Sequence, residues 1–205
     1  VERAAFTGIK SLGFQDYSQV KADLIEDGKY EGAVYENTLG VRMPDGISVF
    51  EAGGVTYIAT ANEGDAREWG DFSNEEKADI GAAAEKVRVL NHNVTWGLED
   101  GINYLYGSRS FSIFRADTME LVYDSGSQFE EKTARYLESW FNCSNDDTDI
   151  DSRSAKKGPE PEAVTVTELG DRIFAFTALE RIGGIMVYDV TDPASSKYVN
   201  YINTR

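Results

Sequence analysis

The chain has 205 residues, 41% of them hydrophobic, which is enough for one sizeable core, and no run approaches the roughly eighteen consecutive apolar residues of a membrane-spanning helix. Thirty-six acidic against twenty basic side chains give a formal net charge of −16, a surface that repels phosphate backbones and anionic headgroups, so nucleic-acid binding and direct membrane insertion are not expected. A single cysteine, Cys143, and a single histidine, His92, exclude an internal disulfide framework and a zinc site rich in thiols or imidazoles.

In chain order, Val1-Glu2-Arg3-Ala4-Ala5-Phe6 lacks the apolar core of a signal peptide. Short segments rich in β-branched and aromatic residues predict strands over 47–50, 55–60, 110–114 and 121–123. Four more follow at 163–167, 173–177, 184–190 and 198–202, separated by Gly, Asp, Asn and Pro turn signals. Two stretches predict helical insertions. Ser73-Asn74-Glu75-Glu76 reads as a capping box opening a helix over 73–86, and Ser127-Gln128-Phe129-Glu130 as another opening one over 127–141. The expected fold class is all-β with short helical insertions.

An internal repeat sharpens that expectation. Pro44-Asp45-Gly46-Ile47 aligns with Pro161-Glu162-Ala163-Val164 at an offset of 117 positions, and the register carries Glu63 onto Glu180. Each copy, over 44–63 and 161–180, reads as turn, strand, glycine hairpin, strand and acidic residue, which is the form of a β-propeller blade. The 205 residues are therefore expected to be part of one β-propeller, a partial set of blades completed by a further segment or subunit. The offset exceeds the roughly 40–50 residues of a blade, so at least one blade is expected between the two copies.

The candidate chemistry lies at the strand ends. A tight hairpin returns the chain to its starting level, so Asp45 and Glu63 should share a rim, as should Glu162 and Glu180. Asp65 adds a carboxylate beside Glu63, and Pro159 and Pro161 are expected to hold Glu160 and Glu162 toward one side. Such acids can hold a divalent cation, calcium or magnesium by default, while Arg67 and Arg181 either orient a phosphate or neutralise the acids as salt bridges. Asp147, Asp149 and Asp151 have the one-three-five spacing of calcium loops, although the glycine and final glutamate of an EF-hand are missing. Asn93-Val94-Thr95 and Asn142-Cys143-Ser144 are glycosylation sequons, and Arg109 between Ser108 and Ser110 reads as a structural arginine at a strand entry. Cys143 is open to remaining a thiol or to pairing outside this chain.

Several motifs in fixed order carry a resemblance. Thr60-Ala61-Asn62-Glu63-Gly64-Asp65-Ala66-Arg67-Glu68, Gly107-Ser108-Arg109-Ser110, Lys157-Gly158-Pro159-Glu160-Pro161-Glu162 and Leu179-Glu180-Arg181-Ile182-Gly183-Gly184 resemble the choice-of-anchor I family over nearly the whole chain. Its animal members include mesenchyme-specific cell-surface glycoproteins of biomineralised skeletons, and its bacterial members are described as alkaline-phosphatase-like. The resemblance implies a secreted or surface-anchored, calcium-associated β-propeller. Where bacterial relatives show an Asp/Gly-rich stretch, this chain has Trp96-Gly97-Leu98-Glu99-Asp100-Gly101, which weakens a cation site there.

Three functions follow as expectations. The first is a non-enzymatic extracellular glycoprotein that binds calcium and acts in matrix, mineral or cell-surface assembly. The second is a calcium-dependent phosphatase or phosphodiesterase with Arg67 or Arg181 on the phosphoryl group, for which no nucleophile is evident. The third is a metal-free protein-binding propeller.

Overall fold

The computed structural model describes residues 8–81 and 86–203. In chain order the strands are β1 (Phe14–Asp16), β2 (Thr38–Val41), β3 (Ile47–Ala52), β4 (Val55–Ala61), β5 (Glu68–Trp69), β6 (Phe72–Ser73), β7 (Glu75–Ala78) and β8 (Val87–Leu90). Then come β9 (Asn103–Tyr106), β10 (Phe111–Arg115), β11 (Leu121–Asp124), helix α1 (Gln128–Tyr136), β12 (Pro161–Leu169), β13 (Arg172–Leu179), β14 (Ile185–Asp189) and β15 (Lys197–Ile202). The chain is mostly β, with several sheets and one short α-helix. No helix among the described residues is long and apolar enough to cross a membrane.

Three sheets carry the fold. The first has the order β1-β2-β9-β8-β7, with β2 and β9 parallel. The second is β3-β4-β10-β11 and the third β12-β13-β14-β15, both wholly antiparallel. These two sheets match pair by pair. The β3–β4 pairs from Ile47↔Thr60 to Ala52↔Val55 recur between β12 and β13 from Val164↔Thr177 to Leu169↔Arg172. Ser112↔Thr60 recurs as Met186↔Thr177, and Ile113↔Ala59 as Val187↔Phe176. Even the register break toward the fourth strand recurs, at Ile113/Phe114 and at Val187/Tyr188.

The two matched sheets adjoin. The largest core cluster joins Phe50, Ala59, Phe111 and Ile113 of the second sheet to Val164, Ala175, Met186 and Tyr188 of the third, with Phe129 of α1 beside them. At the edge, Ser48 Oγ accepts a hydrogen bond from the Val166 N–H at 3.1 Å. Gly46 has to be glycine here, because a Cβ would lie 2.7 Å from Ala163 Cα. The two repeats are therefore direct neighbours in space, although β7, β8 and β9 of the first sheet lie between them in sequence. The extra length is taken up by residues 62–110, inserted between β4 and β10, and by residues 125–160 between β11 and β12. Cys143 is fully buried in the same cluster, so pairing with an outside cysteine would require the core to open.

The two predicted helices fare differently. Residues 128–136 are helical and 138–140 form a 3-10 turn, but Ser127 makes no capping bond: its hydroxyl donates to Glu131 at 2.8 Å. The helix expected over 73–86 is corrected. Ser73 and residues 75–78 are strand, and residues 82–85 lie outside the described ones. β7 pairs with β8, whose Val87 and Val89 are buried, and that pairing overrides the local helix signals. Asn74 is held in the turn instead, its side-chain oxygen accepting the Arg67 N–H at 2.7 Å.

Candidate functional site

Two matched strands end in glutamates that meet. β4 leads into Asn62 and Glu63, and Asn62 is anchored by donation from its Nδ2 to Ser112 Oγ at 2.7 Å. Gly64 N–H donates to Met43 O at 3.1 Å, and the backbone passes so close to Gly107 that a Cβ there would lie 1.9 Å from Glu63 O. β13 leads into Glu180, whose N–H donates to Glu160 O at 2.8 Å. As a result one carboxylate oxygen from each of Glu63, Glu160 and Glu180 lies within 4.8 Å of the others.

Three cations close this cluster. Lys157 Nζ is 2.7 Å from Glu63, 3.0 Å from Glu160 and 3.4 Å from Asp65. Arg153 donates through Nε to Glu160 Oε1 at 2.9 Å and adds a second bond from its terminal nitrogen. Arg181 Nε is 3.2 Å from Glu160 and 3.3 Å from Glu180, and its Nη1 donates to Asn145 at 3.1 Å. Glu160, with a side chain 0% exposed, is the centre of the arrangement.

Burial alone would raise the Glu160 carboxyl, but Lys157 and Arg153 outweigh it and hold the group below the usual carboxylate range. Burial pushes Lys157 down, yet its hydrogen bond to Glu63 and the charge of Glu160 leave it above its ordinary value. Glu63 and Glu180 are shifted upward, first by burial and then by their acidic neighbours. Those neighbours include Asp45 beside Glu63 and Glu162 beside Glu180, so each hairpin brings its acidic pair to one end.

Calcium needs about six to eight oxygen ligands. Here the Lys157 ammonium stands among the carboxylates that would have to surround it, and Glu160 is already engaged by two guanidinium groups. The cluster does not fit a divalent ion. Arg181 is the neutralising partner of Glu160 and Glu180, whereas Arg67 is exposed and outside the cluster.

The remaining predicted acids lie at the border of the cluster or away from it. Asp45, Asp65 and Glu162 are exposed. Glu160 and Glu162 do not share a side as expected: Glu160 has a φ of 52° and the register breaks between Pro161 and Ala163, which interrupts the alternation. The Asp147, Asp149 and Asp151 set is likewise split. Asp147 and Asp149 are exposed, while Asp151 is buried and accepts the N–H groups of Asp27 and Gly28 at 2.8 and 2.9 Å. Asn93 is exposed, as a sequon requires. Asn142 is corrected as a glycan site, because it is fully buried and its Nδ2 donates to Ser154 Oγ at 2.8 Å and Glu130 Oε1 at 3.3 Å.

Sequence reasoning missed Arg153 and the buried hub around Arg109. Arg109 donates to Glu130 Oε1 at 2.7 Å, Asp23 O at 2.6 Å and Ser154 O at 2.6 Å, tying the N-terminal segment, α1 and the loop before β12 together. Its structural role was legible between Ser108 and Ser110, whose hydroxyls bond each other at 2.8 Å, but its partners lie too far along the chain to be read.

The choice-of-anchor I domain model matches residues 1–100 and 99–193. The chain belongs to the choice-of-anchor I domain family. This choice-of-anchor I chain is 46% identical over 125 residues to Gigasin-3a of Magallana gigas, a match covering 52% of the chain and 44% of that relative. It is 24% identical over 236 aligned positions to the Mesenchyme-specific cell surface glycoprotein of Strongylocentrotus purpuratus, covering 89% of the chain and 30% of the relative. The choice-of-anchor I chain thus spans less than half the length of these curated relatives. No solved structure matches it.

Proposed function

We propose that this choice-of-anchor I domain is a non-enzymatic, extracellular part of a β-propeller glycoprotein with a cell-surface, matrix or biomineral role. Calcium then gathers diffusely on its exposed acids, Asp45, Asp65, Asp147, Asp149 and Glu162 among them, instead of in the strand-end cluster. The observation that carries this is the closure of the Glu63, Glu160 and Glu180 cluster by Lys157, Arg153 and Arg181, which leaves its arginine bound to carboxylates and not free for a phosphoryl group. The charge of −16, the exposed sequon at Asn93 and the relative named as a cell surface glycoprotein support the location. Two adjoining four-stranded sheets with the same register support the propeller.

Isothermal titration with calcium and a generic aryl phosphate assay test this together. The expected result is several weak calcium sites insensitive to Glu63→Gln, and no phosphate release. One tight calcium site abolished by Glu63→Gln, or turnover abolished by it, would overturn the proposal.

A further inference from the structure

The third sheet is apolar on both faces. β13 runs Ile173-Phe174-Ala175-Phe176 and β14 runs Ile185-Met186-Val187-Tyr188, near-continuous apolar strands of the kind found in sheets covered on both sides. Only one face packs against another sheet here. Ala175, Met186 and Tyr188 belong to the core against the second sheet. The opposite face carries Phe174, Phe176, Ala178 and Ile185, all half-buried, and Val187, buried between its neighbours in the sheet, and none of the five joins a core cluster. Leu169 and Ile202 at its margins are 55% and 46% exposed.

The matched registers identify what this face is. Its residues Phe174, Phe176, Ala178, Ile185 and Val187 are the counterparts of Tyr57, Ala59, Ala61, Phe111 and Ile113 in the second sheet. Those counterparts make up the second sheet's side of the interface with the third, and four of them are 0% exposed. Thr165, exposed at the same edge, is the counterpart of Ser48, which accepts a hydrogen bond from the neighbouring sheet's backbone.

We infer that the outer face of β12-β13-β14-β15 is the docking surface for a further four-stranded antiparallel sheet, supplied by a longer form of the same polypeptide. Its facing side resembles Val164, Ala175, Met186 and Tyr188, and its edge strand donates a backbone N–H to Thr165. The covalent source follows from the length of the Strongylocentrotus purpuratus relative, of which a match covering 89% of this chain takes up only 30%. The inference rests on the propeller reading but concerns a contact that can be tested separately from ring closure.

Single cysteines test it, since Cys143 is buried. Phe176→Cys, and the milder Thr167→Cys on the same face, are compared with Asp117→Cys on an exposed turn by native-state maleimide labelling. In the 205-residue protein the exposed Thr167→Cys should label at a rate close to that of Asp117→Cys, and the half-buried Phe176→Cys within a few-fold of it. In the protein made from the complete reading frame, Phe176→Cys and Thr167→Cys should label at least about tenfold more slowly than Asp117→Cys. Equal rates in both proteins overturn the inference, as does a reading frame that adds no sheet-forming segment. Concentration-dependent protection already in the 205-residue protein also overturns it, because the occupant is then a second copy. Electron microscopy of the longer protein separates the two readings. A ring with Phe176 still exposed sinks the docking surface alone, and protection without a ring sinks the propeller alone.

Discussion

Lys157 Nζ lies 2.7 Å from Glu63 Oε1 and thereby fastens the loop that precedes β12 to the end of β4, a strand of the other matched sheet. Both side chains are largely buried, at 12% and 14% exposure, so the pair is screened little by solvent. Lys157→Met should lower stability by about 3 kcal/mol, because Glu63 and Glu160 lose a buried partner while their charges remain. The same variant should gain a calcium-dependent rise in Tm that the parent lacks, since it removes the cation standing among the carboxylates. Thermal melts with calcium and with a chelator check both.

Glu160→Gln removes the acid shared by three cations. Glu160 is held below its ordinary range, so its stabilising effect is fully present above the unfolded pKa and disappears as the pH falls through the lower folded one. The variant should be destabilised by about 3 kcal/mol at pH 7, and the gap to the parent should narrow at acid pH below the usual glutamate range. Urea midpoints measured against pH give the comparison.

Asp23 has the opposite sign. Burial pushes its carboxyl up to about 6 from an ordinary 3.8, against the N–H groups of Glu31 and Ile25 that bond the ionised form. Between those two values the folded protein binds more protons than the unfolded one, so stability from this group falls as pH rises from about 4 to about 6. Asp23→Asn should flatten that part of the stability profile. An unchanged slope in the variant would exclude Asp23 as its source.

Expression through a eukaryotic secretory pathway should place a glycan on Asn93 and none on Asn142. Asn93→Gln should abolish the mass shift reversed by glycosidase. Asn142→Gln should leave that shift unchanged and lower stability by about 1–3 kcal/mol, since Asn142 bridges Glu130 and Ser154 in the interior.

How far the sequence led depended on the distance over which each residue finds its partners. The hairpins around Gly53 and Gly170 were legible because alternation and turn chemistry are local. The meeting of Glu63 with Glu180 was half legible, through the hairpin geometry that sets their level. Lys157 and Arg153 arrive from a loop without periodicity, so their neutralising role had no local signal. Glu75 to Ala78 read as helix because capping residues are visible locally, whereas the pairing with buried Val87 and Val89 is not. Asp151 follows the same rule. Its partners at Asp27 and Gly28 lie more than a hundred positions away and turn a calcium-like spacing into a buttress for a loop.

The insertion of residues 62–110 into the second sheet sets the order in which the two matched sheets can form. β12 to β15 are joined by short turns over 161–202, so their closure costs little chain entropy, whereas β4 must wait for β10 across some fifty residues. The third sheet should therefore mature first. Pulsed hydrogen exchange during refolding should find β13 and β14 amides protected before those of β4 and β10. In that interval a sheet with two open apolar faces stands in water, and self-association during refolding should grow with protein concentration and diminish when Phe176 is replaced by Thr.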